Sequence, residues 1–130
     1  MKHIEGVAAI IIKDGKCLCT KRNISNYKYL SYKYEFPTAE VRYGEDANDA
    51  LTREMFESLS AEVKVHDLCM TVEHAYPDFM LTLHAYYCQL ISPEIELNEH
   101  IGSVWLLASE LDQLDWVLAD IPIVEFLMDN

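Results

Sequence analysis

The residues best suited to chemistry are the acids of one stretch, where Glu54 and Glu57 stand three positions apart and Arg53 directly precedes the first of them. Positions three apart on a helix share a face, so the two carboxylates would lie side by side. Carboxylate oxygens are the hard ligands that Mg²⁺ prefers, and bound Mg²⁺ in turn suits a phosphate-bearing ligand. The planar fork of Arg53 is suited to holding one carboxylate in place. The stretch therefore predicts a divalent-metal site that handles phosphates.

These side chains need a helix beneath them, and residues 46–59 have the pattern of one. Apolar residues recur every four positions, at Ala47, Leu51, Met55 and Leu59. Acidic residues crowd the first turn, where the positive end of the helix dipole favours them. Because the apolar stripe must pack on a core, the carboxylates are expected at the edge of that core.

The rest of the chain has mainly the pattern of strands. Asp14-Gly15 predicts a hairpin turn, and Asp120 followed by Pro122 predicts the N-cap and first turn of a closing helix. Ser109 is predicted to cap another short helix. The expected strands cover 4–13, 16–21, 63–72, 80–91 and 104–107, and the expected later helices cover 110–114 and 121–128. This order predicts an α+β fold with a mixed β-sheet between helices.

Length and charge limit the classes of function. At 130 residues the chain predicts one domain over 1–130. A formal net charge of −12 would repel a nucleic-acid polymer, whereas a small-molecule nucleotide can bind through a few Mg²⁺ ions. The first residues lack the pattern of a secretion signal, and no apolar run approaches membrane-spanning length. We therefore expect a cytoplasmic protein with no membrane partner.

The acidic stretch resembles the sequence box of the Nudix hydrolases, G-x5-E-x7-R-E-U-x-E-E-x-G-U with U aliphatic, and reads A-x5-E-x7-R-E-M-F-E-S-L-S-A here. The matching positions are Glu45, Arg53, Glu54, Met55 and Glu57, and the departing ones are Ala39, Ser58, Ser60 and Ala61. The similarity extends to Glu-Phe-Pro at 35–37, Cys-Thr-Lys-Arg ending at 22, Glu99-His100 before a Trp-containing strand, and Leu-Ala-Asp ending at 120. The layout is most similar to the small nucleoside triphosphate pyrophosphohydrolases, in particular the branch taken to act on CTP and modified deoxynucleotides.

The resemblance implies a Nudix-like α/β/α sandwich and Mg²⁺-assisted attack of water on a nucleoside diphosphate-linked substrate, with Mn²⁺ as a substitute ion. The implied metal ligands are Glu54, Glu57, Glu99 and the main-chain carbonyl of Thr38. Glu99 is also the implied general base, and Glu45 an additional hydrogen-bonding carboxylate. The implied substrate contacts are Arg22 to phosphate, Tyr34 and Phe36 beside the base, and Asp120 to an exocyclic amine such as cytosine N4. For Arg22 the alternative is a surface ion pair, and for Asp120 it is the helix cap.

Two departures from the box leave the activity open. Ser58 stands where the pattern has a third carboxylate, and a neutral hydroxyl cannot replace that charge at a site for two or three Mg²⁺ ions. If position 39 requires a positive φ angle, Ala39 strains it by about 1 kcal/mol. Three interpretations remain: a slower pyrophosphohydrolase, a catalytically impaired nucleotide-binding sensor, and a structural or oligomerisation domain. A homodimer also stays open.

Overall fold

The computed structural model describes residues 1–130 and contains seven strands, two α-helices and two 3-10 helices. The strands are β1 (Lys2–Lys13), β2 (Lys16–Lys21), β3 (Tyr34–Glu35), β4 (Thr38–Glu40), β5 (Val63–Ala75), β6 (Phe79–Leu90) and β7 (Gly102–Leu106). The α-helices are α1 (Ala47–Leu59) and α2 (Ile121–Met128), and the 3-10 helices are Ala108–Gln113 and Leu118–Asp120. None of the helices combines the length and apolar character needed to cross a membrane.

All seven strands form one sheet. Its main order is β3-β2-β1-β6-β5, with β4 also paired to β1 and β7 to β2. β1 runs parallel to β6, whereas the other paired strands are antiparallel. Successive side chains of a strand point to opposite faces. Val7, Ala9 and Ile11 of β1 accordingly pack with α1, while Ala8 and Ile10 pack with α2. These layers confirm the predicted α+β class and the mixed sheet between helices.

The predicted helices and long strands are present, with some shifted ends. α1 begins at Ala47 because Asp46 is its N-cap, whose Oδ1 accepts from the backbone N–H of Asp49 at 2.8 Å. The closing helix covers Ile121–Met128, as expected. β5 and β6 extend further towards each other, because the ladder continues to the pair Ala75–Met80.

Two predicted side-chain caps are wrong. Ser109 lies inside its 3-10 helix, and the cap position is Leu107, whose N–H donates to Glu110 Oε1 at 2.9 Å. Asp120 directly precedes α2, but its side chain makes no capping bond. Its Oδ2 instead accepts from the backbone N–H of Phe36 at 2.9 Å, which ties the start of α2 to the segment after β3.

The segment before α1 contains β4, which was not predicted. Ala39 pairs with Val7 in the ladder between β4 and β1, and only 3% of its surface is exposed. The non-glycine residues with positive φ are Asp14, Tyr32 and Ser60. The strain considered for Ala39 is therefore absent, because this residue has ordinary strand geometry.

Candidate active site

Two adjoining cavities lie beside β4. The first, here called the polar cavity, measures about 250 Å³, and its polar lining includes Arg22, Glu35, Thr38, Glu54, Glu99 and His100. The second, here called the apolar cavity, measures about 280 Å³, and its lining includes Tyr27, Leu30, Tyr76, Phe79, Leu81 and Asp120. Arg22, Glu35 and Thr38 line both. The two cavities therefore adjoin, one with a charged lining and the other with a largely apolar one.

The polar cavity brings together Glu54 of α1 and Glu99 of the loop before β7. Partial burial raises the pKa of Glu54 to about 7, and the charge of the adjacent Glu99 raises it further in the same direction. The nearby Arg53 opposes this rise. The negative charge of Glu99 thus favours the protonated form of Glu54 when no cation is bound.

Arg53 holds the first part of the box together. Its Nε donates to Glu45 Oε2 at 2.7 Å and its Nη2 to Glu45 Oε1 at 3.0 Å, which makes a bidentate pair. The same Nη2 donates to the carbonyl of Glu40 at 3.1 Å, and Nη1 lies 3.4 Å from Glu54 Oε2. The bonds from Arg53, together with the backbone N–H of Arg42, lower the pKa of Glu45 to about 2. Arg53 therefore positions Glu54, and Glu45 positions Arg53.

Glu57 is placed differently from Glu54. Its side chain is nearly half exposed, and its Oε2 lies 3.7 Å from Arg53 Nη1. It is absent from the lining of the polar cavity. The structure thus brings Glu54 and Glu99 together without Glu57, and a metal-binding role for Glu57 stays a prediction.

Thr38 presents its main-chain carbonyl away from the sheet. The ladder to β1 uses Pro37 O, which accepts from Ala9 N, and Val41 N, which donates to Glu5 O. In an antiparallel ladder, every second residue bonds to the neighbouring strand. Pro37, Ala39 and Val41 are the residues that face β1, so the carbonyl of Thr38 points to the opposite edge of β4. This residue lines both cavities, so its carbonyl is available at their junction.

Ser58 is buried beneath the acidic face of α1. Only 1% of its surface is exposed, and its Oγ donates to the carbonyl of Glu54, one turn earlier, at 2.8 Å. The hydroxyl is thereby engaged within the helix. The third carboxylate of the box pattern has no substitute at this position.

Arg22 and His100 share one buried carboxylate, which sequence reasoning did not single out. Glu35 Oε1 accepts from Arg22 Nη1 at 2.6 Å, and Glu35 Oε2 lies 3.1 Å from His100 Nε2. Arg22 Nε and His100 Nδ1 are buried without a partner. The available signals were Glu-Phe-Pro and the position of His100 directly after Glu99, but neither pattern specified a contact between segments distant in sequence.

Asp120 forms the polar end of the apolar cavity. Only 2% of its surface is exposed. This burial, and to a lesser extent the negative charge of Glu35, raises the pKa of Asp120 to about 8. Its Oδ2 is bonded to Phe36 N, whereas Oδ1 has no hydrogen bond within the chain. This environment thus favours the neutral carboxyl, which can both donate and accept a hydrogen bond.

The rings of Tyr34 and Phe36 lie outside both cavity linings. Phe36 is fully buried, with its ring centroid 4.6 Å from that of Trp116. Tyr34 is half-buried, and Lys21 Nζ lies 5.9 Å from its ring centroid. The aromatic residues that do line the apolar cavity are Tyr27, Tyr76 and Phe79. Direct contacts of Tyr34 and Phe36 with a substrate stay predictions.

The donor set at the polar cavity fits a divalent cation. Glu54, Glu99 and the free carbonyl of Thr38 offer hard oxygens, which suit Mg²⁺. The raised pKa of Glu54 reflects crowded negative charge that a cation would relieve. No group of three or more His, Cys, Asp or Glu side chains has the arrangement of a metal site. The fit therefore rests on two carboxylates and one carbonyl.

Known proteins share this fold and this arrangement of segments. The family model of the NUDIX domain matches residues 6–125. The chain is 32% identical over 128 residues to the CTP pyrophosphohydrolase of Escherichia coli (strain K12), covering 98% of this chain and 93% of that protein. The solution structure of the E. coli ORF135 protein has a TM-score of 0.84 at 31% identity, covering 99% of this chain and 91% of that one. A MutT protein of the Nudix hydrolase family from methicillin-resistant Staphylococcus aureus 252 has a TM-score of 0.76 at 38% identity, covering 99% and 98%.

The fold and these matches define the class of protein. The chain belongs to the Nudix hydrolase family. The predicted resemblance is confirmed, and with it the prediction of a hydrolase.

Proposed function

We propose that this protein is a Mg²⁺-dependent pyrophosphohydrolase that converts a nucleoside triphosphate to the monophosphate and pyrophosphate. The observation that carries the proposal is that the charged and the apolar cavity adjoin and share Arg22, Glu35 and Thr38 in their linings. A base fits the apolar end and phosphates fit the charged end. The name of the 32% identical E. coli relative, CTP pyrophosphohydrolase, supports a cytidine nucleotide.

In the reaction, a water oxygen forms a bond to a phosphorus atom, and the bridging bond from that phosphorus to the leaving pyrophosphate breaks. Glu99, which lines the polar cavity with Glu54, takes up the proton of the water as the general base. Arg22 holds the phosphates through the guanidinium edge not used by Glu35. When bound, Mg²⁺ would neutralise phosphate charge and lower the pKa of the attacking water. Glu54, Glu99 and the Thr38 carbonyl would hold it.

Asp120 is the proposed base-reading group. Its Oδ1, free of partners within the chain, would accept a hydrogen bond from an exocyclic amine such as cytosine N4. Asp120→Asn should change the discrimination between cytosine and uracil nucleotides by about 1–3 kcal/mol. The ratio of kcat/KM values for CTP and UTP measures this change. An equal loss for both bases would assign Asp120 a structural role alone.

The main experiment is a phosphate-release screen, in which nucleoside triphosphates and diphosphate derivatives are incubated with the protein and Mg²⁺ or Mn²⁺. Pyrophosphate is converted to phosphate by added inorganic pyrophosphatase. We expect turnover that depends on the metal and that is slow relative to box-complete Nudix hydrolases, because Ser58 leaves one charge missing.

A catalytically impaired nucleotide-binding protein is the second candidate. The observation that favours it is the lack of a third acidic ligand, since Ser58 is neutral and Glu57 lies outside the polar cavity. Thermal shift with the same nucleotides separates the candidates. A raised melting temperature without phosphate release selects the binding protein, and no response in either assay contradicts both.

A further inference from the structure

The C-terminal end of α1 is held by the loop that carries Glu99. An α-helix leaves its last carbonyl groups without partners inside the helix. In α1, the carbonyls of Met55 and Phe56 are bonded by the N–H groups of Ala61 and Ser60. The next three carbonyls, of Glu57, Ser58 and Leu59, need donors from elsewhere in the chain.

All three carbonyls receive these donors from the loop at 96–98. Glu96 N–H donates to Leu59 O at 2.8 Å, and Asn98 N–H donates to Ser58 O at 2.9 Å. The side-chain Nδ2 of Asn98 donates to Glu57 O at 3.0 Å and also to Ser60 Oγ at 3.0 Å. Asn98 therefore makes three of the four bonds that fasten this loop to the helix.

Position 60 has glycine in the family box, whereas here its serine hydroxyl is the acceptor for Asn98. This departure from the box accordingly adds a bond between the helix and the loop. Glu54, on the helix, and Glu99, directly after Asn98, are then carried by two segments fastened together at one end. We propose that Asn98 is a positioning residue that fixes Glu99 opposite Glu54. It does so by bonding the loop that carries Glu99 to the helix that carries Glu54.

The proposal rests on the proposed function, since it concerns the placement of its two central carboxylates. Asn98 is exposed and packs into no core cluster, so its removal should leave the fold intact. The proposal therefore predicts a local loss of order and a catalytic defect. Residues that orient metal ligands typically change metal affinity or activity by about 10–100-fold when they are removed.

The test compares Asn98→Ala and Asn98→Asp with the wild type and with Asn48→Ala. Asp keeps the shape of Asn but lacks its amide donors. Asn48 is an exposed Asn at the other end of α1, whose Oδ1 accepts from Thr52 Oγ1, so its variant is a matched control. Four quantities are measured: the hydrogen-exchange rate of the Glu96 amide, the dissociation constant of Mn²⁺, and kcat and KM for CTP.

For both Asn98 variants we expect faster exchange of the Glu96 amide, with unchanged exchange in β1. The Mn²⁺ dissociation constant should rise about three- to tenfold. The value of kcat should fall about tenfold, while KM stays within about twofold of the wild type. Asn48→Ala should match the wild type. Unchanged exchange at Glu96 would overturn the proposal whatever the activity. Faster exchange with unchanged kcat and Mn²⁺ affinity would also overturn it, because the loop would then be fastened without positioning Glu99. If the wild type neither binds Mn²⁺ nor hydrolyses any nucleotide, the proposed function fails and this inference fails with it.

Discussion

The two ends of α1 are stabilised in different ways. At the N-terminal end, Asp46 caps the helix, and Glu45 just before it forms a charged bidentate pair with Arg53 of the box, with donor–acceptor distances of 2.7 and 3.0 Å. At the C-terminal end, neutral hydrogen bonds from Asn98 and Glu96 satisfy the helix carbonyls, and the box positions there are occupied by serine. The comparison shows that the box residues Glu45 and Arg53 are kept where their charges pair with each other, whereas Ser58 and Ser60 stand where a distant loop bonds the helix.

The buried position of Ser58 gives the strongest test of this difference. Ser58→Glu would add a carboxylate one turn from Glu54 and restore the missing charge of the C-terminal half. With Mg²⁺ we expect tighter metal binding and hydrolysis faster by about ten- to a thousandfold, if electrostatic stabilisation of the transition state is regained. Without metal the variant should be clearly less stable, because the site is 1% exposed and two acids lie nearby.

Turnover, Mg²⁺ titration and urea unfolding of Ser58→Glu would be compared with Ser58→Gln, which adds the same volume without charge. A rate gain in both variants, or in neither, would show that the missing charge does not limit catalysis.

This test also marks the limit of what the sequence could predict. The helix of the box, the closing helix and the long strands were predictable because each follows a regular apolar period. The fork of Arg53 was expected on Glu54 or Glu57, whereas its bidentate partner is Glu45. The bonds at the C-terminal end of α1 were not predictable, because their donors come from a loop about forty residues away. Asp120 occupies the predicted N-cap position, but the expected capping bond is absent for a similar reason, because the partner of its side chain, Phe36, lies far away in sequence.

Removal of Arg53 tests the N-terminal half. In Arg53→Ala, Glu45 loses its bidentate partner and Glu54 loses the neighbouring cation. We expect kcat to fall about a hundredfold, since Glu54 is no longer held in its reactive position. Arg53→Lys should recover little, because Lys lacks the planar fork. Arg42→Ala is the matched control, since Glu45 is bonded there by the backbone N–H alone. If kcat fell no further in Arg53→Ala than in Asn98→Ala, the charged pair of Arg53 and Glu45 would be no more important for catalysis than the bonds of Asn98.

The metal-free protein should lose stability as pH rises through the acidic range. The pKa of Glu54 is about 7 in the folded protein against an ordinary value of 4.5, so the folded state holds this proton more tightly. Stability then falls between about pH 4.5 and 7, and Asp120, with a pKa of about 8, extends the fall. Melting temperatures at several pH values measure this slope, and Glu54→Gln should reduce the slope.

Millimolar Mg²⁺ should raise the melting temperature at pH 7.5, because it binds the folded state. A midpoint unmoved by both Mg²⁺ and Mn²⁺ would remove the metal site.

The smallest expected effect concerns Ser60, which ends α1 in the left-handed conformation at φ 50°. A non-glycine residue is disfavoured there by about 1 kcal/mol, while the bond from Asn98 to Ser60 Oγ contributes about 0.5–1 kcal/mol. Ser60→Gly relieves the strain but loses the bond, so the free energy of unfolding should stay close to that of the wild type. Ser60→Ala keeps the strain and also loses the bond, so it should be about 1 kcal/mol less stable than Ser60→Gly.

Repeating both substitutions of Ser60 in an Asn98→Ala background separates the two contributions. There the hydroxyl has already lost its donor, so Ser60→Gly should stabilise the protein by about 1 kcal/mol in urea unfolding, and Ser60→Ala should be nearly neutral. The change in sign or size between backgrounds measures the coupling of Ser60 to Asn98. Identical effects in both backgrounds would mean that this bond contributes nothing, and the C-terminal end of α1 would then depend on the backbone donors of Glu96 and Asn98 alone.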